Sequence, residues 1–144
     1  MKTGAVIVAA GMSSHMHDFK PMLKIGGTTI VKRIITTLKL SGIDSIVLVT
    51  GNKAEQLEKH ISHLGVICKR NERFLETQMF DSAKIGLEYL KYECERILFT
   101  PADIPLFSEK SIRKLLDSNS ELACPSFQGI LGHPLLISSK LIFI

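Results

Sequence analysis

The chain has 144 residues, of which 45% are hydrophobic and 22% charged, and its formal net charge at neutral pH is +4. This composition excludes a disordered chain, and the length suits a single domain, residues 1–144, with one sizeable core. Lysine and arginine are scattered, so we predict no nucleic-acid-binding stripe and leave open a preference for small anionic molecules. No apolar stretch approaches the roughly 18 residues needed to span a bilayer.

The number and spacing of the cysteines and the composition of the N-terminus indicate in which cellular compartment the protein is expected. Cys68, Cys94 and Cys124 are odd in number and have no CxxC spacing, so we predict three buried thiols without a metal or disulfide framework. The start, MKTGAVIVAAG, is similar to a signal peptide in its lysine and short apolar run. Its valine and isoleucine content favours a buried parallel strand instead. We therefore expect a cytoplasmic protein with no membrane partner.

Short β-branched runs alternate with helical periods along the chain. The predicted strands are 4–10, 45–50, 65–69, 96–100, 122–127 and 133–138. Three helical faces are predicted, formed by Ile30, Ile34, Ile35 and Leu38, by Ala54, Leu57, Ile61 and Leu64, and by Phe80, Ala83, Leu87 and Leu90. A fourth helix over 108–117 would have Ser108 as N-cap, Glu109 in its first turn, and Ile112, Leu115 and Leu116 buried. This alternation predicts an α/β fold with a mainly parallel sheet covered on both faces.

Ligands of such sheets bind beyond the carboxyl ends of the strands. Three segments follow predicted strands there: AAGMSSHMHDFK, TGNK and TPADIP. The sequence therefore predicts that the functional residues lie on one rim of the sheet.

The loop after the first strand has some features of a phosphate site. It is neither a GxxxxGK[ST] motif nor a GxGxxG motif. The backbone N–H groups of Gly11 and Ser13 can still bind phosphate oxygens, and Lys20 can neutralise their charge. The alternative interpretation is a surface loop with a solvated lysine.

Asp103 follows the apolar run RILFT and lies between Pro101 and Pro105. The prolines stiffen the turn and forbid continuation of the strand. A carboxylate held there suits Mg²⁺, which takes one or two carboxylates and completes its shell with phosphates and water. The alternative is an aspartate that only caps the turn.

The histidines suggest no zinc centre. His15 and His17 form one pair and His60 and His63 another, but two ligands are too few for a structural zinc site. We predict that these are surface histidines. His133, between a glycine and a proline at the start of a strand, predicts a shaped turn.

Four segments, in order, resemble the MobA-like nucleotidyltransferases, which include molybdenum cofactor cytidylyltransferase and the guanylyltransferase of molybdopterin guanine dinucleotide synthesis. VIVAAGMSSHMHDFKPML resembles the family opening AAGxSxRMGxxKxLL, and NERFLETQMFDSAKIGL (71–87) its Asn-aromatic-Ser-Gly-Leu segment. PADIPLF resembles its D-x-P loop and GHPLL its G-H-P strand. The resemblance covers essentially the whole chain.

The resemblance implies a Rossmann-like, three-layer α/β/α fold of the nucleotide-diphospho-sugar-transferase type, with a nucleoside triphosphate over the first loop. The implied nucleotide contacts are Ala10, Gly11 and Ser13 through the backbone, Lys20 on the phosphates, and Ser82 on the nucleoside. Asp103 would hold Mg²⁺, and Lys20 and Asp103 would be the catalytic residues. The implied reaction is attack by an acceptor phosphate on the α-phosphorus with release of pyrophosphate. The AAG opening favours CTP over GTP as the nucleotide. The implied acceptor is a phosphorylated small molecule such as molybdopterin. A molybdoenzyme or an accessory protein is the implied protein partner.

Three departures from the family pattern affect this expectation. His15 stands where the family has a phosphate-binding arginine, and His17 stands at the loop glycine. A mostly neutral imidazole cannot copy the charged, bidentate grip of arginine. The family usually continues past the position of Ile144 through a second Mg²⁺-binding aspartate, so we expect a chain that lacks the family's C-terminal part.

Three functions therefore remain open. The first is an active nucleotidyltransferase, and the second is a nucleotide-binding or regulatory module that has lost the chemistry. The third is an enzyme fragment, which the apolar ending SSKLIFI favours.

Overall fold

The computed structural model of the protein describes residues 2–9, 20–73, 76, 79–102, 108–117, 122–123, 126–127, 130–131 and 135–142. Its strands are β1 (Thr3–Ala9), β2 (Lys24–Ile25), β3 (Thr28–Thr29), β4 (Ser45–Thr50), β5 (Ile67–Arg70), β6 (Arg96–Pro101), β7 (Leu122–Ala123), β8 (Ser126–Phe127), β9 (Ile130–Leu131) and β10 (Leu135–Ser138). Its helices are α1 (Ile30–Leu40), α2 (Ala54–His60), α3 (Met79–Leu90), α4 (Glu109–Leu116) and α5 (Ser139–Ile142).

Six of these strands form one sheet in the order β5–β4–β1–β6–β10–β7. The first four of them pair in parallel, while β10 runs antiparallel to both β6 and β7. Parallel neighbours need a crossover connection, and α1 supplies the one between β1 and β4. The predicted α/β fold with a mainly parallel sheet is confirmed.

Several observed strand bounds differ from the predicted ones, and β1 begins at Thr3, one residue earlier than predicted. β5 begins at Ile67, two residues later than predicted, and ends at Arg70. β6 ends at Pro101, one residue later than the predicted bound, and Pro101 pairs with Val8 as its last residue. The strand does not continue past this proline, as predicted. The single strand predicted over 122–127 is in fact two short strands, β7 and β8, which belong to different sheets.

The sheet separates two apolar cores, as expected when successive side chains of a strand point to opposite faces. Ala5 and Ile7 of β1 lie in the core shared with α1, α2 and α4. Val6 and Val8 lie in the core beneath α3. The protein therefore has three layers, with α3 alone against one face of β1 among the described helices.

The helical predictions are mostly confirmed. The side chain of Ser108 caps α4 by accepting a hydrogen bond from the backbone N–H of Ser111. Leu116 was predicted to be buried but is only partly buried, whereas its neighbour Leu115 is buried. α2 ends at His60, so Ile61 and Leu64 of the predicted face belong to the turn that follows. The side chain of Phe80 lies outside the described part of the chain.

The thiols follow the prediction in part. Cys94 is buried, Cys68 is only half-buried at the edge strand β5, and both are free. Burial raises the pKa of each thiol above its ordinary value. Cys124 lies outside the described residues. Among the described helices, none has the length and apolar character that crossing a membrane requires.

Gly86 allows α3 to lie unusually close to the sheet. A Cβ atom at this position would lie 2.5 Å from Cγ1 and 2.9 Å from Cγ2 of Val6, and 3.3 Å from Cγ2 of Val49. Both valines are fully buried, so neither side chain has free space to move into. The glycine in the segment 71–87 therefore has a packing role.

We expect Gly86→Ala to lower the free energy of unfolding by about 1–2 kcal/mol, because overpacking outweighs the gain in helix propensity. Chemical denaturation measures this change. Combining it with Val6→Ala should cost less than the sum of the two single changes. Gly27→Ala is the control, since no atom lies within 4 Å of the new methyl group. An unchanged stability for Gly86→Ala would contradict the packing argument.

Candidate nucleotide-binding rim

The carboxyl ends of four parallel strands meet at one edge of the sheet, which we call the rim. The register pairs Ala9 with Thr50, Thr50 with Arg70, and Val8 with Pro101. The last residues of β1, β4, β5 and β6 therefore lie side by side. This is the edge at which the sequence predicts the functional residues.

The chain order reverses at β1. β4 lies beside β1 on one side, and β5 lies beyond β4. The next strand of this sheet in the chain, β6, lies on the other side of β1. Such a switch point opens a crevice between the two strands at their carboxyl ends, where open α/β sheets bind ligands. β1 ends at Ala9, and the described stretch that contains β6 ends at Ala102, so both of these ends lie beside the crevice.

A backbone bond fixes the start of the second loop. The N–H of Ala102 donates to the carbonyl oxygen of Val8 at 2.9 Å, and Ala102 is buried. Asp103 is therefore joined to a residue that is anchored on β1. Polar groups attached to an anchored backbone lose less entropy on binding a ligand.

Most of the predicted nucleotide and metal contacts lie outside the described residues. These are Ala10, Gly11, Ser13, His15 and Asp103; His17 and His133 do so as well. The backbone of Lys20 begins a 3-10 turn, Lys20–Met22, but its side chain also lies outside the described part. The roles assigned to these residues stay predictions.

Ser82 is the predicted nucleoside contact that the structure describes. It lies in the first turn of α3, and only 3% of its surface is exposed. The side-chain amide of Asn71 donates to its hydroxyl oxygen at 2.8 Å. Asn71 is itself buried, and its backbone N–H donates to the carbonyl oxygen of Thr50 at 2.7 Å. The bond to Asn71 thus connects α3 to the rim.

Sequence reasoning assigned no role to Asn71, although the residue stands in the segment that resembles the family. The available signal was its position: a polar residue directly after a strand, at the carboxyl edge of a parallel sheet. What the sequence could not indicate was its partner, because Ser82 is eleven residues away and on a different element.

A second polar network joins α2 to the rim. Glu58 accepts hydrogen bonds from Nε and Nη2 of Arg70 at 2.9 and 2.8 Å, and from the hydroxyl of Thr50 at 3.0 Å. The bonds from Arg70 chiefly hold the pKa of Glu58 below its ordinary value, with a smaller contribution from Thr50 and partial opposition from burial. Sequence reasoning missed this network as well.

His60 corrects the prediction of four surface histidines. Its Nε2 atom lies 2.7 Å from the hydroxyl oxygen of Thr29, and the side chain is partly buried. Burial lowers the pKa of His60 below its ordinary value, and the nearby charges of Lys32 and His63 lower it further. His63 is exposed, as predicted. Within the described residues, no three His, Cys, Asp or Glu side chains form a group that could hold a metal ion.

We expect Glu58→Gln to lower the free energy of unfolding by about 0.5–1 kcal/mol at neutral pH, because it removes an ion pair that is partly exposed. The folded-state pKa of Glu58 is depressed, so its contribution is present above about pH 4.5 and is lost as the pH falls through the lower folded value. Urea denaturation between pH 3 and pH 7 measures the difference between wild type and variant.

That difference should shrink towards the acid end of the range. Glu76→Gln is the matched control, because Glu76 pairs with Arg73 in an ion pair whose side chains are 67% and 76% exposed. A difference between Glu58→Gln and wild type that stays constant with pH would contradict the assignment.

Comparison with known proteins identifies relatives over most of the chain. The family model of the MobA-like NTP transferase domain matches residues 5–143. The chain is 26% identical to the bifunctional protein GlmU of Staphylococcus haemolyticus over 119 residues, which are 81% of this chain and 26% of that protein. GlmU of Francisella tularensis is 27% identical over 123 residues, which are 84% of this chain and 26% of that protein. The chain thus spans about a quarter of the length of these curated relatives.

Solved structures share the fold. A nucleotidyl transferase from Methanothermobacter has a TM-score of 0.83 and 22% identity, with 99% of this chain and 74% of that chain covered. The protein Rv0371c from Mycobacterium tuberculosis has a TM-score of 0.85 and 19% identity over the same shares, and it has also been solved in complex with manganese. A cytidylyltransferase from Leptospira borgpetersenii has a TM-score of 0.73 and 24% identity, with 99% of this chain and 63% of that chain covered. The Rossmann-like fold implied by the sequence is confirmed.

Proposed function

Because this chain belongs to the MobA-like NTP transferase family, we propose that it transfers a nucleoside monophosphate from a nucleoside triphosphate to a phosphorylated small-molecule acceptor, with release of pyrophosphate. One observation supports this above the others. The two segments that carry the phosphate and metal motifs, 10–19 and 103–107, follow β1 and β6, which are adjacent and parallel at the switch point of the sheet. A triphosphate in the crevice would therefore meet both segments at once.

In this proposal the first loop binds the triphosphate. The backbone N–H groups of Ala10, Gly11 and Ser13 contact the nucleotide, and Lys20 and His15 supply positive charge. Transfer of this kind needs little covalent help from the protein, because placement of the reacting groups and neutralisation of charge account for most of the rate. An in-line attack on the α-phosphorus breaks its bond to the β-phosphate oxygen, so pyrophosphate leaves with the electron pair.

Asp103 is the proposed ligand of a divalent cation, Mg²⁺ in the first instance. A carboxylate beside the phosphates is a fitting donor, since Mg²⁺ typically binds one or two carboxylates together with phosphate oxygens and water. The bound ion would neutralise charge that develops on the phosphates. The manganese complex of the mycobacterial protein with the same fold is compatible with a divalent cation in this type of domain.

CTP is the first nucleotide to test and GTP the second, because the AAG opening favours the cytidylyl branch of the family. The cytidylyltransferase from Leptospira has the same fold, which is compatible with this choice. Molybdopterin species are the first acceptors to test. A pyrophosphate-release assay with each of the four nucleoside triphosphates, Mg²⁺ and these acceptors tests the function. Nucleotide binding without pyrophosphate release would favour the alternative, a nucleotide-binding or regulatory module.

We expect Asp103→Ala to abolish Mg²⁺-dependent nucleotide binding while the thermal unfolding midpoint changes little. The reason is that the carboxylate would ligate the cation at the rim and would not support the core. Calorimetric titration of nucleotide with and without Mg²⁺ measures the effect. Asp44→Ala is the matched control, because Asp44 is an exposed aspartate at the opposite, amino-terminal edge of β4. An Asp103→Ala protein that binds Mg²⁺–nucleotide like wild type would refute the metal role.

We expect nucleotide binding by the wild type to tighten as the pH falls from about 8 to about 6. An ordinary imidazole titrates near pH 6.5, and the negative charge of a bound triphosphate favours its protonated form. His15→Arg should remove most of this pH dependence and strengthen binding by about 1 kcal/mol, since one charge-assisted contact is regained. Affinity titrations at several pH values measure both effects.

The control for His15→Arg is His63→Arg, which adds the same charge at an exposed position after α2. It should leave the affinity and its pH dependence unchanged. A flat wild-type profile, or no gain with His15→Arg, would show that this histidine does not face the phosphates.

A further inference from the structure

The side chain of Asn71 is held at both ends of its amide group. Its Oδ1 atom accepts a hydrogen bond from the backbone N–H of Arg73 at 3.0 Å, and its Nδ2 atom donates to the hydroxyl oxygen of Ser82 at 2.8 Å. A carbonyl oxygen cannot donate and an amide nitrogen cannot accept. Because an N–H group faces the oxygen, the nitrogen must face Ser82, and the orientation of the amide is determined.

The backbone of Asn71 also ties this group to the sheet. Its N–H donates to the carbonyl oxygen of Thr50, the last residue of β4, at 2.7 Å. Asn71 is 6% exposed and Ser82 3% exposed. The pair is therefore buried at the rim, in a place where a change of hydrogen-bond direction cannot be compensated by bulk water.

This arrangement determines what the hydroxyl of Ser82 can do. The hydroxyl has one hydrogen atom, and its oxygen already accepts from Asn71. The hydrogen must point away from Asn71, because Nδ2 has no lone pair to accept it. Whatever group meets this hydrogen is therefore a hydrogen-bond acceptor.

We infer that Asn71 is a positioning residue that makes Ser82 a hydrogen-bond donor to the nucleoside. The recognised atom is an acceptor, namely a carbonyl oxygen or ring nitrogen of the base or an oxygen of the ribose, and not an exocyclic amino group. The inference rests on the proposed function, in which Ser82 contacts the nucleoside of a bound triphosphate. It adds the polarity of that contact and the residue that imposes it.

Two variants separate this role from a purely structural one. Ser82→Ala removes the donor. Asn71→Asp keeps an oxygen for the N–H of Arg73 but turns a second oxygen towards Ser82, and an ionised carboxylate would attract the hydroxyl hydrogen away from the nucleoside. When that carboxyl is protonated it can donate to the hydroxyl oxygen as the amide does, so the donor is restored.

The experiment measures the affinity of each protein for nucleoside triphosphate with Mg²⁺ between pH 6 and pH 9. The four triphosphates are first compared on the wild type, and the one that binds most tightly is used. We expect Ser82→Ala to weaken binding about 5–10-fold relative to wild type at every pH, which is the usual value of one hydrogen bond. Asn71→Asp should show the same loss at pH 9. Because burial raises the pKa of a carboxyl group, its affinity relative to wild type at the same pH should recover as the pH falls.

Three controls support the interpretation. Inorganic tripolyphosphate with Mg²⁺ should bind wild type and both variants equally, because it has no nucleoside. Ser62→Ala removes an exposed serine hydroxyl that bonds to the carbonyl oxygen of Lys59, and it should change nothing. If the buried carboxylate prevents folding, Asn71→Ala replaces Asn71→Asp. Its binding should weaken without any recovery at low pH, because it introduces no titrating group.

The outcomes are distinguishable. A wild type that binds none of the four triphosphates would overturn the proposed function and this inference with it. Unchanged binding by Ser82→Ala would overturn the inference alone, since the hydrogen would then bond to the backbone of its own helix. Loss in Ser82→Ala together with wild-type affinity in Asn71→Asp at pH 9, or in Asn71→Ala, would overturn the role of Asn71.

Discussion

Parallel pairing of β1 with strands on both of its edges is the constraint from which the rest of the structure follows. Ala5, Val6 and Ile7 are fully buried, so this strand contributes side chains to both apolar cores. Its backbone groups bond to β4 on one side and β6 on the other. Any shift of β1 along its axis would disturb two ladders and two cores together. The loop that follows β1 therefore begins at a well-determined point in space.

Hydrogen bonds from two other parts of the chain meet at Thr50, the last residue of β4. The hydroxyl of Thr50 donates to Glu58, and its carbonyl oxygen accepts from the backbone of Asn71. These two bonds connect α2 and the residue that follows β5 to Thr50, and the bond from Asn71 to Ser82 extends the connection to α3. Polar groups buried at a rim are stable only when they are bonded, and bonds between different elements hold those elements in register. The polar residues Thr50, Glu58 and Asn71 thus hold the elements of the rim in a fixed arrangement.

A transferase of phosphate groups depends on this kind of arrangement more than on a reactive side chain. Most of its rate comes from groups that are already in place when the nucleotide binds. The proposal for Asn71 and Ser82 applies the same reasoning to the hydroxyl hydrogen of Ser82. The side-chain amide of Asn71 determines the direction of this hydrogen, and the backbone of Asn71 is bonded to β4. The replacement of the family's loop arginine by His15, which the resemblance implies, would act differently, because it would change the charge of the proposed site.

Local periodicity and turn chemistry were sufficient to predict the alternating strands and helices, the parallel sheet, the rim, and the capping role of Ser108. The family was recognisable because four of its motifs occur along this chain in the same order. Only the tertiary structure paired Asn71 with Ser82 and Glu58 with Arg70, and only it showed that His60 is partly buried against Thr29. It also assigned Gly86 to a close contact with Val6. The physical reason is that periodicity reports which face of an element is buried, whereas these contacts depend on how separate elements lie against one another.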